Sequence, residues 1–429
     1  MRRRGFLAAA AATGAWALAG CDRPGADRAT PPAPGQAPAR PRPGSADGLP
    51  EGVTFRRRTL RLPDAGPVRH QILSVAPSAP VRVTAVHGAR LDTAETVRAM
   101  ADRVHALAAI NASFFDIATS PVFSGHDGDP LGLHIEDGTL LSEAANGRTA
   151  LVLGEGRGLG RITEARSVIE VTAEDAAVRR VDGINRTPGR VVGCGGTGGD
   201  VLAGTRGPRF TPAHNKLCED PDELVLFTPE WGDRAARGSA EAVLAPDGRV
   251  TRLRTPGGGP LPGRGRVLTG IGDGAGWLRR HARPGTRLRI TATVHDGTGR
   301  RLAAPGATVV QAGPRLLRDG TVDIDTGANG MPPTALTGRH PRTLAGITGD
   351  GTLLLVTVDG RDPGVSIGAT LAEAAELMLS LGARDALNLD GGGSTTMVVN
   401  GRLRNRPRNA PGTPVRERAV ADALVVLAR

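Results

Sequence analysis

Asn388-Leu389-Asp390-Gly391-Gly392-Gly393-Ser394-Thr395-Thr396 separates two short apolar runs near the C-terminus. The run that ends at Leu389 is typical of a buried strand, and 397–399 of a second strand. Asp390 follows the first strand directly. The three glycines allow positive φ angles and close backbone approach, which predicts a backbone nest for an anion beside a carboxylate. The alternative is a glycine-rich hairpin turn, since Asp-Gly alone is a common hairpin signal.

The preceding segment predicts a second polar strand end. The apolar run 353–358 is typical of a buried strand and ends at Asp359-Gly360-Arg361. Thr370-Leu371-Ala372-Glu373 fits a capping box that starts a helix ending near Gly382. If the strands on either side of this helix are parallel neighbours, Asp359, Arg361 and Asp390 share one rim of a sheet.

Composition narrows the class of function. The chain has 429 residues, 39% of them hydrophobic, which is enough for one large domain or two ordinary ones. Aromatic residues make up 2% and tyrosine is absent, so a carbohydrate site would have few stacking platforms. The net charge of +11 comes almost entirely from dispersed arginine, with Lys216 as the only lysine. No basic helix or aromatic–basic interleaving indicates nucleic-acid binding.

The N-terminus has the features of an export signal. Arg3-Arg4-Gly5-Phe6-Leu7 resembles a twin-arginine signal, and the apolar stretch that follows is too short for an ordinary membrane span. Leu18-Ala19-Gly20-Cys21 resembles a bacterial lipobox, which predicts lipidation of Cys21; an ordinary cleaved signal is the alternative. We assign 1–21 to the signal and 22–50, rich in Pro, Gly and Ala, to a disordered tether.

The remaining cysteines predict a disulfide. Cys194 and Cys218 lie in a loop-rich stretch of a chain that we expect to be exported. A zinc site there would need more ligands, because His214 is the only histidine close to the pair. We therefore predict no metal at these residues.

The folded region is expected over 51–429, with alternating strands, turns and a few helices. Strand 81–86 and helix 93–107 precede a strand that runs into a polar loop carrying Asn111 and Asp116. Both are candidate site residues, although an Asn cap beside core phenylalanines is the structural alternative. Residues 236–310 alternate short strands with Gly-Pro turns. The pattern predicts an α+β fold of mixed β-sheets with a few packed helices, as one large catalytic domain with a β-rich central part.

These motifs, in this order, resemble the phosphodiester glycosidase family. The resemblance covers about 80–429, with core motifs at 80–235 and 305–429, and its most specific parts are Asp359-Gly360-Arg361 and the stretch 388–396. The motifs that carry it further include Asn111 to Asp116, Asn185-Arg186, the Cys194–Cys218 loop and Pro341-Arg342-Thr343. The resemblance implies hydrolysis of a sugar 1-phosphodiester on cell-envelope or extracellular glycans, by cleavage of the bond between C1 and oxygen.

The implied chemistry assigns roles to the motif residues. Arg342 and Arg361 are predicted to hold the phosphate through bidentate hydrogen bonds. Asp390 is the first candidate for the carboxylate that activates water or attacks, followed by Asp359 and Glu373. Glu373 as a helix cap, and Arg361 as a partner of Asp359, are the structural alternatives. The further predicted substrate-binding residues are Asn111, Asn185, Arg186, Gly391, Gly392, Gly393, Ser394 and Thr395.

Two other functions are open at this stage. A lipoprotein could bind a glycan or phosphate in the same pocket without catalysis, and a phosphodiesterase could cleave the P–O bond. Three carboxylates favour the enzyme, since a binding protein needs the arginines more than the acids. No cofactor is predicted, while the sequence leaves a divalent metal open. The expected partners are a glycan or sugar-phosphodiester substrate and, through the lipid anchor only, a membrane.

Overall fold

The computed structural model describes residues 48–62, 65–117, 128–145, 147–154, 158–192, 200–203, 217–302, 304–327, 329 and 336–429. The predicted signal, the lipobox with Cys21 and nearly all of the tether lie outside this range. Among the described residues, no helix has the length and apolar composition needed to cross a membrane.

Strands dominate the described chain. Those of its first half, numbered in chain order, are β1 Val53–Leu62, β2 Gly66–Val75, β3 Val81–His87, β4 Glu95–Thr96, β5 Ala108–Asn111, β6 His134–Glu136, β7 Thr139–Ser142, β8 Thr149–Leu153, β9 Gly160–Thr172, β10 Val178–Arg180, β11 Gly183–Ile184, β12 Arg190–Val192, β13 Val201–Leu202, β14 Leu217–Glu219 and β15 Leu224–Phe227. Those of the second half are β16 Ala240–Leu244, β17 Val250–Arg254, β18 Arg266–Gly270, β19 Arg289–Asp296, β20 Thr308–Gln311, β21 Arg315–Arg318, β22 Thr321–Val322, β23 Arg342–Thr348, β24 Leu353–Val358, β25 Ala383–Asn388, β26 Met397–Val399, β27 Arg402–Leu403, β28 Ala419–Val420 and β29 Asp422–Ala428. The helices are α1 Val97–Arg103, α2 Gly272–His281 and α3 Leu371–Ser380.

Two sheets packed face to face build the part of the fold that carries the glycine stretch. One has the strand order β1-β2-β24-β23-β25-β21-β22, and the other β27-β26-β5-β29-β3. Their facing apolar side chains, such as Leu355, Leu387, Ile110 and Leu424, belong to one buried core. Helix α3 covers the outer face of the first sheet and α1 the outer face of the second.

Most of the remaining strands form the β-rich central part, while β28 and β4 pair as a separate two-stranded sheet. One sheet runs β10-β9-β8-β20-β6-β7 with β19 also paired to β9, and another runs β11-β15-β18-β16-β17. Helix α2 packs against the second of these through Ala275, Trp277 and Leu278. A small sheet, β12-β14-β13, stands beside them. Antiparallel pairs prevail, and β11 with β15 is a parallel pair. The predicted α+β class is confirmed.

Several local predictions match the observed elements. Strand β24 has the predicted bounds, and α3 starts at a complete capping box between Thr370 and Glu373. Gly382 follows the helix with φ of 87°, a left-handed conformation that glycine adopts without the usual Cβ clash. Asp137 and Gly138 form the hairpin turn between β6 and β7.

Two helix predictions are wrong. The predicted helix 93–107 is reduced to the seven residues of α1, because Thr96 caps it by accepting a hydrogen bond from the Ala99 amide. The preceding residues pair with β28 instead, and His105 adopts a φ of 53° just beyond the helix. The interval 236–310 contains α2, which sequence periodicity missed because its first turn contains two glycines that form no part of an apolar stripe.

Candidate active site

The glycine stretch connects the two packed sheets at one rim. Strand β25 belongs to the first sheet and β26 to the second, so 389–396 crosses between sheets and is not the hairpin considered as an alternative. Strands β24 and β25 both pair antiparallel with β23, which lies between them. Asp359 and Asp390 therefore lie at one rim of the first sheet. The strands that they follow are separated by β23 and are not neighbours.

Asn111, at the end of β5, ties this crossing together. Its Oδ1 accepts hydrogen bonds from the Thr343 hydroxyl at 2.8 Å and from the Thr396 amide at 3.0 Å. Its Nδ2 donates to the Asp390 carbonyl at 2.6 Å, and the Asp390 amide donates to the carbonyl of Ala112 at 2.8 Å. The side chain of Asn111 is wholly buried. It therefore positions the Asp390 backbone, and its predicted contact with a sugar is incompatible with this burial.

Asp390 is the carboxylate that this arrangement presents. The residue is partly exposed, yet its Oδ2 atom is buried and has no hydrogen-bond partner among the described residues. Burial raises the pKa of the Asp390 carboxyl to about 7, and the charge of Asp422 adds to the rise. Hydrogen bonds from Ser394 and Gly391 and the charge of Arg418 oppose it. Near neutral pH the group can therefore gain or lose a proton.

Two guanidinium groups lie against the glycine loop. A Cβ built on Gly392 would lie 3.1 Å from Nη2 of Arg361, and one on Gly393 would lie 2.4 Å from Nη2 of Arg418. Because glycine has no Cβ, the two guanidinium groups can lie this close to the loop. Burial and the charge of Arg418 lower the pKa of Arg361, because the two cations are close. Such a pair of like charges is suited to an anionic ligand.

The loop from 405 to 418 holds both arginines in place. Nη1 of Arg361 donates to the carbonyls of Arg408 at 3.0 Å and Asn409 at 2.6 Å. Arg418 donates to Oδ1 of Asn409 at 2.6 Å through Nη2. Arg361 also adopts a left-handed φ of 59°, which costs a non-glycine residue free energy and points to a constrained position.

A cavity of about 290 Å³ opens beside Arg418. Its lining comprises Phe115, Ile117, Asn409, Arg416, Glu417, Arg418 and Ala419. This volume is near the lower end of the range for small-molecule sites, roughly 300–1,000 Å³. The cavity can hold a group of monosaccharide size with an anion against Arg418.

The loop amides are less available than the sequence predicts. The Gly392 amide donates to the carbonyl of Pro341 at 2.8 Å, and that of Gly391 donates to the Asp390 carboxylate. Gly393, Ser394 and Thr395 are buried. The predicted contacts of Ser394 and Thr395 with phosphate are therefore blocked by burial. The guanidinium groups of Arg361 and Arg418 are therefore the groups left to bind an anion.

A buried chain of ionisable groups lies behind Asp390. Oδ1 of Asp422 accepts from the Ser113 amide at 2.7 Å, while Oδ2 lies 2.8 Å from Nδ1 of His134. Glu136 stands 3.6 Å from the other nitrogen of His134. Burial alone would lower the pKa of His134, but the neighbouring carboxylates of Asp422 and Glu136 outweigh it and raise the pKa to about 9. An imidazolium therefore compensates the charge of Asp422 at neutral pH.

The other two predicted catalytic carboxylates have structural roles. Asp359 is buried, and its oxygens accept hydrogen bonds from Nε2 of Gln71 at 2.9 Å and from the Arg406 amide at 2.6 Å. Glu373 accepts from the Thr370 amide at 2.9 Å as the capping-box acid and also contacts Arg339. Both carboxylates are therefore committed to neighbouring protein groups.

Arg342 is likewise committed to the protein. Its guanidinium is buried and donates to the carbonyls of Ala369 and Gly338, each at 2.9 Å. Burial lowers its pKa to about 10. Its contacts hold two loops together, in contrast to the predicted phosphate contact.

Asn185 and Arg186 lie in the central part of the fold. The amide of Asn185 bonds to the Leu141 carbonyl and to Thr228 and is buried. Arg186 pairs with Glu143 at 2.7 Å and with Glu223 at 2.5 Å. The cavity that Arg186 lines has a volume of about 40 Å³, room for a few water molecules and too small for a sugar. The predicted substrate contacts of both residues are therefore not possible in this structure.

The structure describes one of the two cysteines of the predicted disulfide. Cys218, in β14, is disulfide-bonded, whereas Cys194 lies outside the described residues. Their pairing stays a prediction.

Sequence patterns do not single out four residues of this region: Arg418, Asn409, Asp422 and His134. Arg418 stands in an arginine-rich segment, Arg416-Glu417-Arg418, where many arginines are solvated, so nothing local distinguishes it. Asp422 and His134 lie 288 residues apart and meet only because β29 and β6 are brought together. Asp422 as the first residue of an otherwise apolar strand was the one signal that could have been used.

Asp390→Asn should change stability in a pH-dependent way. The folded-state pKa of about 7 exceeds the unfolded value of about 3.9, so wild type loses stability as pH rises from about 4 to 7. We expect the Asn variant to be more stable than wild type at pH 8, with the difference vanishing near pH 4. Denaturant titrations at both pH values measure this. Asp385→Asn, partly exposed on the same strand, is the control, and an equal difference at both pH values would contradict the assignment.

Known proteins resemble this chain to different extents. Residues 240–427 match the model of the phosphodiester glycosidase family, NAGPA. A crystal structure of a protein from Burkholderia pseudomallei K96243 superposes with a TM-score of 0.72 at 30% identity, covering 84% of this chain and 74% of that one. A hypothetical protein from Synechocystis shares the fold, with a TM-score of 0.66 at 20% identity over 89% of this chain and 63% of its own.

A curated relative matches over a shorter range. The SPbeta prophage-derived uncharacterized protein YomE of Bacillus subtilis (strain 168) is 41% identical over 88 residues, or 20% of this chain. The chain spans 13% of that relative's length. The family match over 240–427 contains Asp390, Arg361 and Arg418, the residues that converge on the glycine loop. By this match, residues 240–427 of the chain, which include the glycine loop, belong to the phosphodiester glycosidase family.

Proposed function

We propose that the protein hydrolyses a sugar 1-phosphodiester by cleaving the bond between C1 and oxygen. Family membership supports a glycosidase that acts on phosphodiester glycosides. The observation that carries the finer proposal is the carboxyl of Asp390, with a pKa of about 7, on a loop that also receives the guanidiniums of Arg361 and Arg418. An acid or base and a paired cation are the groups that this reaction requires.

The phosphodiester would sit with its charged oxygens toward Arg361 and Arg418 and its sugar in the 290 Å³ cavity against Phe115 and Ile117. When the C1–O bond breaks, its electron pair leaves with the phosphomonoester, whose added negative charge the guanidiniums stabilise. Such a leaving group needs less proton donation than an alcohol. A single carboxylate at the loop is therefore compatible with the reaction.

Asp390 would act in its ionised form. It either takes a proton from the water that attacks C1, or attacks C1 itself and is then released by water. Asn111 would hold the Asp390 backbone during this step through its hydrogen bond to the Asp390 carbonyl. The P–O-cleaving phosphodiesterase and the non-catalytic binding protein are the competing proposals.

Turnover should depend on Asp390 and not on Glu373. On a panel of sugar 1-(methyl phosphates), we expect Asp390→Asn to lower kcat by about 10²–10⁴-fold, because the charge is removed and the shape kept. Glu373→Gln is the matched control, since glutamine preserves a capping box and turnover should stay near wild type. An unimpaired Asp390→Asn enzyme would move catalysis elsewhere.

Reaction in ¹⁸O-labelled water separates the three functions. C1–O cleavage gives methyl phosphate without label. Cleavage of the P–O bond to the sugar gives labelled methyl phosphate, and cleavage on the methyl side gives sugar 1-phosphate. Phosphorus NMR resolves these products. Binding of the esters without any product, on the whole panel, would support the binding protein.

Substitutions of His134 and Asp422, which lie behind Asp390, should shift the pH dependence of turnover in opposite directions. With ionised Asp390 as the active form, kcat/KM rises with pH and reaches half its maximum near pH 7. His134→Gln leaves the charge of Asp422 uncompensated, so the rise should move to higher pH. Asp422→Asn removes that charge and should move the rise to lower pH. Profiles of kcat/KM from pH 4 to 10 test this, and shifts in the same direction would refute the electrostatic link.

We further propose that the protein is exported and anchored at Cys21 by a lipid, acting on cell-envelope or extracellular glycans. The twin-arginine-like and lipobox-like motifs support this proposal. Cys21→Ser should shift the protein from the membrane fraction to the soluble fraction on centrifugation of cells that express it. Retention of the variant in the membrane fraction would reject the anchor.

A further inference from the structure

Three buried acids meet in the central part of the fold, away from the glycine loop. Asp200 directly precedes β13, Asp220 directly follows β14, and Glu223 directly precedes β15. We call these three residues the acidic cluster. One carboxylate oxygen from each lies within 4.8 Å of the others. The cluster shares no residue with the candidate active site, so a ligand bound there can be tested apart from the proposed hydrolysis.

Charge in this cluster is poorly compensated. Arg186 is bidentate to Glu223, at 2.5 and 2.8 Å, and also pairs with Glu143. Asp220 accepts a hydrogen bond from the Asp222 amide at 2.9 Å. One guanidinium thus serves two glutamates and leaves the charges of Asp200 and Asp220 without a direct cationic partner among the described residues.

Asp200 is the acid of this cluster whose charge is least compensated by described residues. Its side chain is 1% exposed, and neither carboxylate oxygen has a hydrogen-bond partner among the residues that the structure describes. A buried carboxylate without hydrogen bonds or a counter-ion is destabilising, and coordination of a metal ion removes that destabilisation. The group points at the other two acids, where such an ion would sit.

We propose that Asp200, Asp220 and Glu223 bind one calcium ion. The ligand set is all oxygen, which suits a hard cation and not zinc or copper. Two ligands of one Ca²⁺ stand at most about 4.6–5.2 Å apart, since each Ca–O distance is about 2.3–2.6 Å, so a single ion can reach all three acids.

The ion would join two sheets. Asp200 and Asp220 flank the small sheet β12-β14-β13, and Glu223 begins the strand β15 of the five-stranded sheet. Arg190, in β12, pairs with Asp116 through two hydrogen bonds of 3.0 Å. Phe115 and Ile117, on either side of Asp116, line the 290 Å³ cavity. Calcium would therefore stabilise the support of one wall of the candidate active site.

Calcium binding to the full chain is the test. Protein freed of metal with EDTA and then dialysed is titrated with CaCl₂, with MgCl₂ for comparison, and bound ⁴⁵Ca²⁺ and the melting temperature are measured. We expect one Ca²⁺ per chain and a rise of the melting temperature by a few degrees, because the ion binds the folded state. Asp200→Asn should weaken binding by roughly tenfold or more, since it removes one ligand charge.

The metal-free state separates a calcium ligand from an ordinary structural residue. In EDTA, Asp200→Asn should be at least as stable as wild type, because the variant loses an uncompensated buried charge. Asp247→Asn, on an exposed acid, is the control and should bind calcium as wild type does. Asp220→Asn serves as the second cluster variant if the first does not fold. Absence of bound ⁴⁵Ca²⁺ in wild type, or unchanged binding by the cluster variants, would overturn the proposal.

Discussion

The side chain of Asn111 is the contact on which the candidate active site depends. It belongs to one sheet, accepts a hydrogen bond from Thr343 in the other, and holds both ends of the crossing loop through Asp390 and Thr396. Because it is wholly buried, each of these hydrogen bonds is shielded from water and leaving any of them unmade would be costly. The loop that joins β25 of one sheet to β26 of the other is thereby held in place, and with it the position of the Asp390 carboxyl group.

Charge is arranged around that loop in two layers. Arg361 and Arg418 approach from the solvent side through space that only glycines leave open. Asp422 and the His134 imidazolium lie behind Asp390 and set the electrostatic background for its proton. Burial raises the proton affinity of Asp390 and the charge of Asp422 adds to it, while the charge of Arg418 lowers it. The balance places the Asp390 pKa near neutrality, where a carboxyl can serve as a base without being permanently ionised.

The acidic cluster and the candidate active site use buried carboxylates differently. Asp390 lies on the loop that Arg418 contacts, and Arg418 also lines the accessible cavity, so a substrate held there could complete the surroundings of the carboxyl. Asp200 has no access to solvent and needs a partner that stays bound. Arg190 and Asp116 link the two regions, so an ion in the central part could affect the shape of the substrate cavity without touching it.

Sequence patterns by themselves determined the local elements and the first carboxylate. The apolar run of β24, the capping box of α3 and the position of Asp390 after a strand all depend on residues close along the chain, whose propensities and hydrogen bonds are local. The family resemblance followed from the same short motifs. The roles of Asp359 and Arg342 were decided only by tertiary structure, since each meets partners from another segment that use up its hydrogen-bonding atoms. Glu373 differs, because its capping-box partner Thr370 is local and the sequence pattern already offered that role. Arg418, Asp422 and the acidic cluster became recognisable for the same reason: an ionisable side chain acquires its function from the charges and the burial that distant strands bring to it.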